Sequence, residues 1–265
     1  MKYPKSERSI TMKKLIAMLL VLTMVLAFAA CSQTDVPATE PSTEAPTTEA
    51  TQPSEEATEP SEEGVTAMTH EQFMAAPLDS PVRVITYVQG TQSWWDNKIT
   101  VYCQSEDGAY FLYELACTEA DAAKLVPGTK IAVTGYKAEW AGEVEIMDGT
   151  FEFMDGETFV AEPLDVTAMI GTDELVAHQN EKVTFKGMTV DSIEYKNGEP
   201  GDDIYVTMSK DGKTVSFCVE FYLTGTDSEV YQTVGGLKAG DVVDVEAFLY
   251  WYEGANPHIT AITVA

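Results

Sequence analysis

Ile99-Thr-Val-Tyr-Cys-Gln-Ser-Glu-Asp-Gly-Ala-Tyr-Phe-Leu-Tyr-Glu-Leu115 is the stretch on which the architecture turns. Ile99, Val101 and Cys103 share one face of a strand. Asp107-Gly108 supplies the chemistry of a tight hairpin turn. Phe111, Tyr113 and Leu115 are expected on the inner face of the return strand. A short helix follows, because Thr118 can cap it, Ala120, Ala122 and Ala123 favour it, and Pro127-Gly128 end it. Upstream, Val82 to Val88 alternates apolar and polar residues as a half-buried strand requires. Downstream, Lys130 to Tyr136 and Glu143 to Phe153 read as two further strands. The order is strand, strand, strand, helix, strand, strand.

That order occurs twice. Thr66-Ala67-Met68 recurs as Thr167-Ala168-Met169, and at the same offset Pro81-Val82-Arg83-Val84 lies over Lys182-Val183-Thr184-Phe185. Ser105-Glu106-Asp107-Gly108 matches Ser209-Lys210-Asp211-Gly212. Leu125-Val-Pro-Gly-Thr-Lys-Ile-Ala-Val133 matches Leu237-Lys-Ala-Gly-Asp-Val-Val-Asp-Val245. The offset grows steadily along the chain, so the second copy carries loop insertions in an unchanged order. Thr226-Asp227-Ser228-Glu229 has the form of a capping box for its helix, with Gly235-Gly236 as the stop. Two domains of roughly 100 residues follow, a size sufficient for one core each. Their expected limits are 66–162 and 163–265.

The element order resembles an OB-fold, a five-stranded Greek-key barrel with a helix between the third and fourth strands. The fold expected is therefore all-β: two tandem OB-like barrels, each with one short helix. Val82 to Val88, Trp94-Trp95, the Asp-Gly hairpin and Lys130-Ile-Ala-Val-Thr-Gly-Tyr-Lys-Ala-Glu-Trp140 are also similar to OB-type domains of uncharacterised lipoproteins from Gram-positive anaerobes. That resemblance implies an exterior location and a binding fold, and it supplies no activity. An immunoglobulin-like sandwich is the competing arrangement; the helix in each copy counts against it.

The N-terminal region points the same way. Lys13-Lys14 precedes the apolar run Leu15 to Ala30, which falls short of the roughly 20 residues of a spanning helix and ends in Ala29-Ala30-Cys31. This resembles a bacterial lipoprotein signal (residues 1–30), with Cys31 acylated and first in the mature chain. Phe28 departs from the Leu or Val usual three residues before that cysteine, and Met12 makes a better start than Met1. Residues 31–65 are rich in Pro, Thr, Ser and Glu, and hold no aromatic residue and no Lys or Arg. They cannot bury enough apolar surface to order themselves, and are expected to form a disordered tether. The expected location is the extracytoplasmic face of the cell membrane, with the membrane as partner through the lipid on Cys31.

Charge narrows the partners. The chain has 16 Lys and Arg against 43 Asp and Glu, a formal charge of −27. The leader holds five of the bases and one acid, and the tether nine acids, which leaves 11 bases and 33 acids, or −22, on residues 66–265. Nucleic acid would be repelled, since its binding rests on Lys and Arg replacing counterions along phosphates. An unknown extracellular peptide or glycan suits this surface better.

Trp94 and Trp95 sit between the first and second strands, and Trp140 between the fourth and fifth. In OB-folds those two loops flank the ligand face, so these three tryptophans are the candidate ligand-binding residues. The bland alternative is that they plug the barrel and cover the helix. In the second copy Tyr250, Trp251 and Tyr252 occupy the later loop, whereas the earlier one offers Tyr195 and Asn197. Cys103, Cys117 and Cys218 are expected as free, buried thiols, because Cys103 and Cys117 are too far apart along the hairpin to bridge. His70, His178 and His258 have no second His or Cys at ligand spacing, so no metal site is expected. Glu199-Pro200-Gly201-Asp202-Asp203 offers oxygens to Ca²⁺ without the spacing of an EF-hand. No nucleophile motif and no cofactor fingerprint appears, and the expectation is a non-enzymatic binding module. An accessory of extracellular nucleic acid and a surface spacer are the alternatives.

Overall fold

A computed structural model describes residues 66–265. The leader, the acylation of Cys31 and the tether lie outside the described residues.

Five strands close the first barrel: β1 (Pro81–Thr91), β2 (Lys98–Ser105), β3 (Gly108–Ala116), β4 (Lys130–Trp140) and β5 (Glu143–Phe153). Their order is β1-β2-β3-β5-β4, and β4 pairs back onto β1. Only β3 and β5 run parallel, at Phe111 and Leu112. This is the closed, OB-like pairing that the element order implied. Val82, Val84 and Val88 from β1 point inward and meet Ile99, Val101 and Cys103 from β2. A helix, α1 (His70–Ala75), precedes the barrel, with Thr69 and Gln72 forming a reciprocal capping box. Its Phe73 packs edge-on to Tyr110 at 5.2 Å between ring centroids and joins the barrel core. Lys137 caps the other end of α1, donating from Nζ to the carbonyls of Met74 at 2.6 Å and Ala76 at 2.9 Å. A cation is well placed at a helix C-terminus, where unpaired carbonyls gather.

The return strand β3 corrects the sequence expectation. Its inward residues are Tyr110, Leu112 and Leu115, while Phe111 and Tyr113 face out. The register explains this. Ile99 stands opposite Leu115 but Val101 opposite Leu112, so β3 carries one extra residue there. Glu114 absorbs it with a left-handed backbone (φ 49°). A bulge of this kind reverses the alternation beyond it. After β3 a single turn, α2 (Glu119–Ala122), is capped by Thr118, whose Oγ1 accepts from Asp121 N–H.

The second sheet begins with the two-residue strand β6 (Leu164–Asp165). It continues through β7 (Lys182–Tyr195), β8 (Ile204–Lys210), β9 (Lys213–Val219), β10 (Val242–Phe248) and β11 (His258–Val264). Its order is β10-β11-β9-β8-β7-β6, with β10 also paired to β7. The strands β7 to β11 thus pair in the same sequence as β1 to β5, including one parallel contact, His258 with Cys218. Phe185 and Phe217 cross at 5.0 Å in its core among Val183, Val206, Met208 and Val245. Between β9 and β10 lie α3 (Phe221–Thr224) and α4 (Glu229–Gly236). The cap of α4 is Ser228, which accepts from Tyr231 N–H at 3.1 Å, not Thr226 as the capping-box pattern suggested. Gly225, with φ at 77°, separates α3 from α4, so the helix starts two residues later.

Candidate functional site

The outward side of β2 and β3 is the face on which OB-folds hold ligands. Here it is covered from within the chain. Tyr102 and Phe111 from this face and Phe248 from β10 form a buried cluster, joined by Tyr113, Leu223 and Tyr250. Tyr102 stacks on Phe248, and Tyr250 meets Phe111 edge-on at 5.1 Å. Gly90 makes room for this contact: a Cβ there would fall 2.9 Å from Phe248 Cε2.

The loop from β1 to β2 divides its two tryptophans. Trp94 turns inward against the barrel core and donates from Nε1 to the Cys117 carbonyl at 2.8 Å. Trp95 points out and is 76% exposed. Asp96 and Asn97 hold left-handed backbones (φ 48° and 59°), the conformation that Asp and Asn tolerate best. They bring Trp95 and Lys98 into mutual backbone hydrogen bonds at 3.0 and 2.9 Å. The start of the loop is tied to α3, since Ser93 N–H donates to the Tyr222 carbonyl at 2.6 Å.

Trp140 is placed differently from the sequence expectation. β4 extends to Trp140, which pairs with Glu143 across a two-residue turn of Ala141 and Gly142. This turn is held by the second sheet: Glu253 N–H donates to Ala141 O at 2.7 Å, and Trp251 N–H donates to Glu143 Oε2 at 2.8 Å. Trp94, Trp95 and Trp140 therefore occupy three settings: core, solvent and a pinned turn.

A groove of about 420 Å³ opens beside the first loop, lined by Asn97, Cys117, Asp121, Phe151, Glu152 and Phe153 among others. Phe151 and Phe153 meet edge-on at 5.3 Å. Hydrogen bonds from Lys124 and Thr118 hold the Asp121 carboxyl below its usual range, so it is ionised at neutral pH. Burial, and then the Asp121 carboxylate, push the Cys117 thiol up. A thiol without its proton removed is a poor nucleophile. The groove thus offers two aromatic rings, one amide and two carboxylates, and no activated group. Sequence reading missed it because Phe151 and Phe153 looked like ordinary strand residues.

All three described cysteines are free and buried, as expected. The carboxylates of Asp202 and Asp203 are engaged by Lys196 Nζ at 3.2 and 2.7 Å. Among the described residues one group has donor atoms close enough to share a metal ion: Cys218, Glu220 and His258. Burial depresses the His258 pKa to about 3, so its ring is neutral.

No family model matches the chain, and no curated protein matches it. Solved structures with OB-type folds do resemble it. A murine DNA-binding protein bound to double-stranded DNA aligns over 69% of this chain and 94% of its own, at 11% identity and a TM-score of 0.34. A replication protein A heterotrimer bound to single-stranded DNA aligns over 71% and 49%, at 12% identity and a TM-score of 0.29. Asparaginyl-tRNA synthetase from Pyrococcus horikoshii aligns over 32% of this chain, at 20% identity and a TM-score of 0.27, and this chain spans 19% of that enzyme. At these scores the likenesses carry no weight beyond the barrel pairing already described.

Proposed function

We propose that this protein is a lipid-anchored, extracytoplasmic binding module with two duplicated OB-like barrels and no catalytic role. The ligand is a neutral or cationic peptide or glycan, taken by the groove at Asn97 together with the exposed ring of Trp95. One observation carries this reading: the loop that leaves the Trp95 ring 76% exposed also supplies Asn97, two residues on, to a groove lined by Phe151, Phe153, Asp121 and Glu152. Aromatic faces stack on sugar rings or cationic side chains, and carboxylates accept their donors. Nucleic acid is disfavoured by the charge of −22 on residues 66–265 and by the covered β2–β3 face.

The test is a tryptophan fluorescence titration of the whole mature chain with short Lys- and Arg-containing peptides and with neutral oligosaccharides. Saturable change in the parent protein, lost in Trp95→Ala with the circular dichroism spectrum preserved, supports the groove. A response to neither probe class, or one that survives Trp95→Ala, overturns it. The anchor has its own test: Cys31→Ala should move the protein from the detergent phase to the aqueous phase on partitioning. A surface spacer is the second reading, favoured by the burial of the usual ligand face inside the chain.

A further inference from the structure

Cys218 and Glu220 stand two residues apart as β9 ends, so their side chains leave the same side of an extended chain. Phe217 and Val219 point the other way, into the core of the second sheet. His258 opens β11 and pairs with Cys218, and Cys218 N–H donates to Pro257 O at 2.9 Å. These contacts fix the two strands side by side. One donor atom from each of Cys218, Glu220 and His258 then lies within 4.8 Å of the others. The imidazole is held in place by its surroundings. Its Nδ1 is 2.6 Å from the Tyr102 hydroxyl, which also accepts from Gln92 Nε2, and the Tyr250 ring stacks on it at 4.4 Å. Partners of this kind orient a ligating histidine.

We propose that Cys218, Glu220 and His258 bind a divalent transition cation of the zinc type. A thiolate, a carboxylate and an imidazole form a donor set suited to zinc and poorly suited to Ca²⁺ or Mg²⁺, which prefer oxygen alone. On binding, the Cys218 S–H bond breaks, its proton goes to solvent, and the sulfur electron pair goes to the cation. The two anionic ligands then balance the double positive charge. Donors around one zinc ion are about 3.5 Å apart, given bonds of about 2.0–2.3 Å, so closure needs side-chain shifts on the order of 1 Å. The same trio does not serve as a nucleophile with its base. Cys218 and His258 are only 2% and 5% exposed, which closes them to a substrate but not to an ion entering past half-buried Glu220. The inference is independent of the groove at Asn97 and of Trp95, since it uses none of those residues.

The experiment is a Co²⁺ titration of the whole chain, kept reduced with a phosphine, followed by absorbance. The expected result is a thiolate-to-cobalt charge-transfer band in the near ultraviolet that saturates at one equivalent and is displaced by Zn²⁺. Cys218→Ser should abolish the band, and Glu220→Gln should weaken affinity by at least about tenfold while keeping it. No band in the parent protein, or an equal band in Cys218→Ser, overturns the proposal. If Cys218→Ser fails to fold by circular dichroism, Glu220→Gln decides, and unchanged affinity there counts against the site.

Discussion

Tyr102 of β2 lies flat on Phe248 of β10, with ring centroids 4.5 Å apart and planes 13° from parallel. Both rings are almost fully buried, so this stack joins the two sheets by a dry aromatic contact. Removing a buried Phe side chain typically costs about 3–5 kcal/mol, from lost transfer energy and the cavity left behind. Phe248→Ala is expected to lose at least about 3 kcal/mol and to split unfolding into two steps, since the sheets would then melt separately. Denaturant titration followed by circular dichroism and by calorimetry checks this. A single transition shifted by under about 1 kcal/mol would show that the stack does not couple the sheets.

Trp94 and Trp95 are neighbours with opposite roles. Trp94→Phe keeps most of the ring but leaves the Cys117 carbonyl without its Nε1 donor, at a cost of about 1 kcal/mol. Trp95→Ala removes a ring already in solvent and should change stability by less than about 0.5 kcal/mol. Equal losses in the two variants would contradict this division.

Gly135 sits in β4 where the register with β5 shifts between Thr134 and Tyr136. A Cβ there would come 2.8 Å from the Met147 carbonyl and 2.7 Å from Ile146 Cγ2. Backbone cannot yield cheaply at such a crossing, so Gly135→Ala should destabilise by about 1–3 kcal/mol. Gly254→Ala gives a contrast on a different basis: its site is open, and only its backbone (φ 143°) resists the change. Thermal melts of both variants separate crowding from conformational strain.

Lys196 and Asp202 set limits on the pH range of stability. Burial alone would lower the Lys196 pKa, but its bonds to Asp203 and Asp202 outweigh that and raise it. Burial alone would raise the Asp202 pKa, but bonds from Asp203 N–H and Lys196 outweigh that and lower it. The lysine therefore contributes stability below its unfolded value of about 10.4, lost as pH rises through the raised folded value. The aspartate contributes above about 3.9, lost as pH falls through the depressed folded value. Lys196→Met leaves Asp203, whose side chain is 4% exposed, without its cation. This should cost about 3–5 kcal/mol at pH 7, and the deficit should shrink in acid as Asp202, held low in part by Lys196, takes up its proton. Unfolding free energies from pH 3 to 8 test the sign; a deficit that grows in acid would refute it.

The burial of β2 and β3 shows what was legible and what was not. From Val82 to Val88 the burial alternates strictly, with Val82, Val84 and Val88 inward as their spacing implied, although Thr86 fills one inward position and Ile85 an exposed one. On β2, by contrast, all five residues from Ile99 to Cys103 are buried, polar Thr100 among them. Burial at successive positions of a strand means cover on both of its faces. Ile99, Val101 and Cys103 share the inward face as their spacing implied, but nothing in the sequence named the partner that covers Tyr102 on the other face. The bulge at Glu114 was invisible for a related reason: one extra residue in a pair is a property of two strands together. Trp140 was assigned to a loop because Ala141-Gly142 reads as a turn of any length.

Residue order alone determined the alternation of strands with a helix, the repeated block pattern, the acidity and a tight hairpin near Asp107, whose two turn residues are Glu106 and Asp107, because each follows from short-range propensity or from counting. The closing of strands into a barrel, the cover over Tyr102 and Phe111, the groove between Asn97 and Phe151 and the meeting of Cys218 with His258 were decided only in three dimensions. Each of these joins residues far apart in the chain, and such distances are set by packing, which no local pattern encodes.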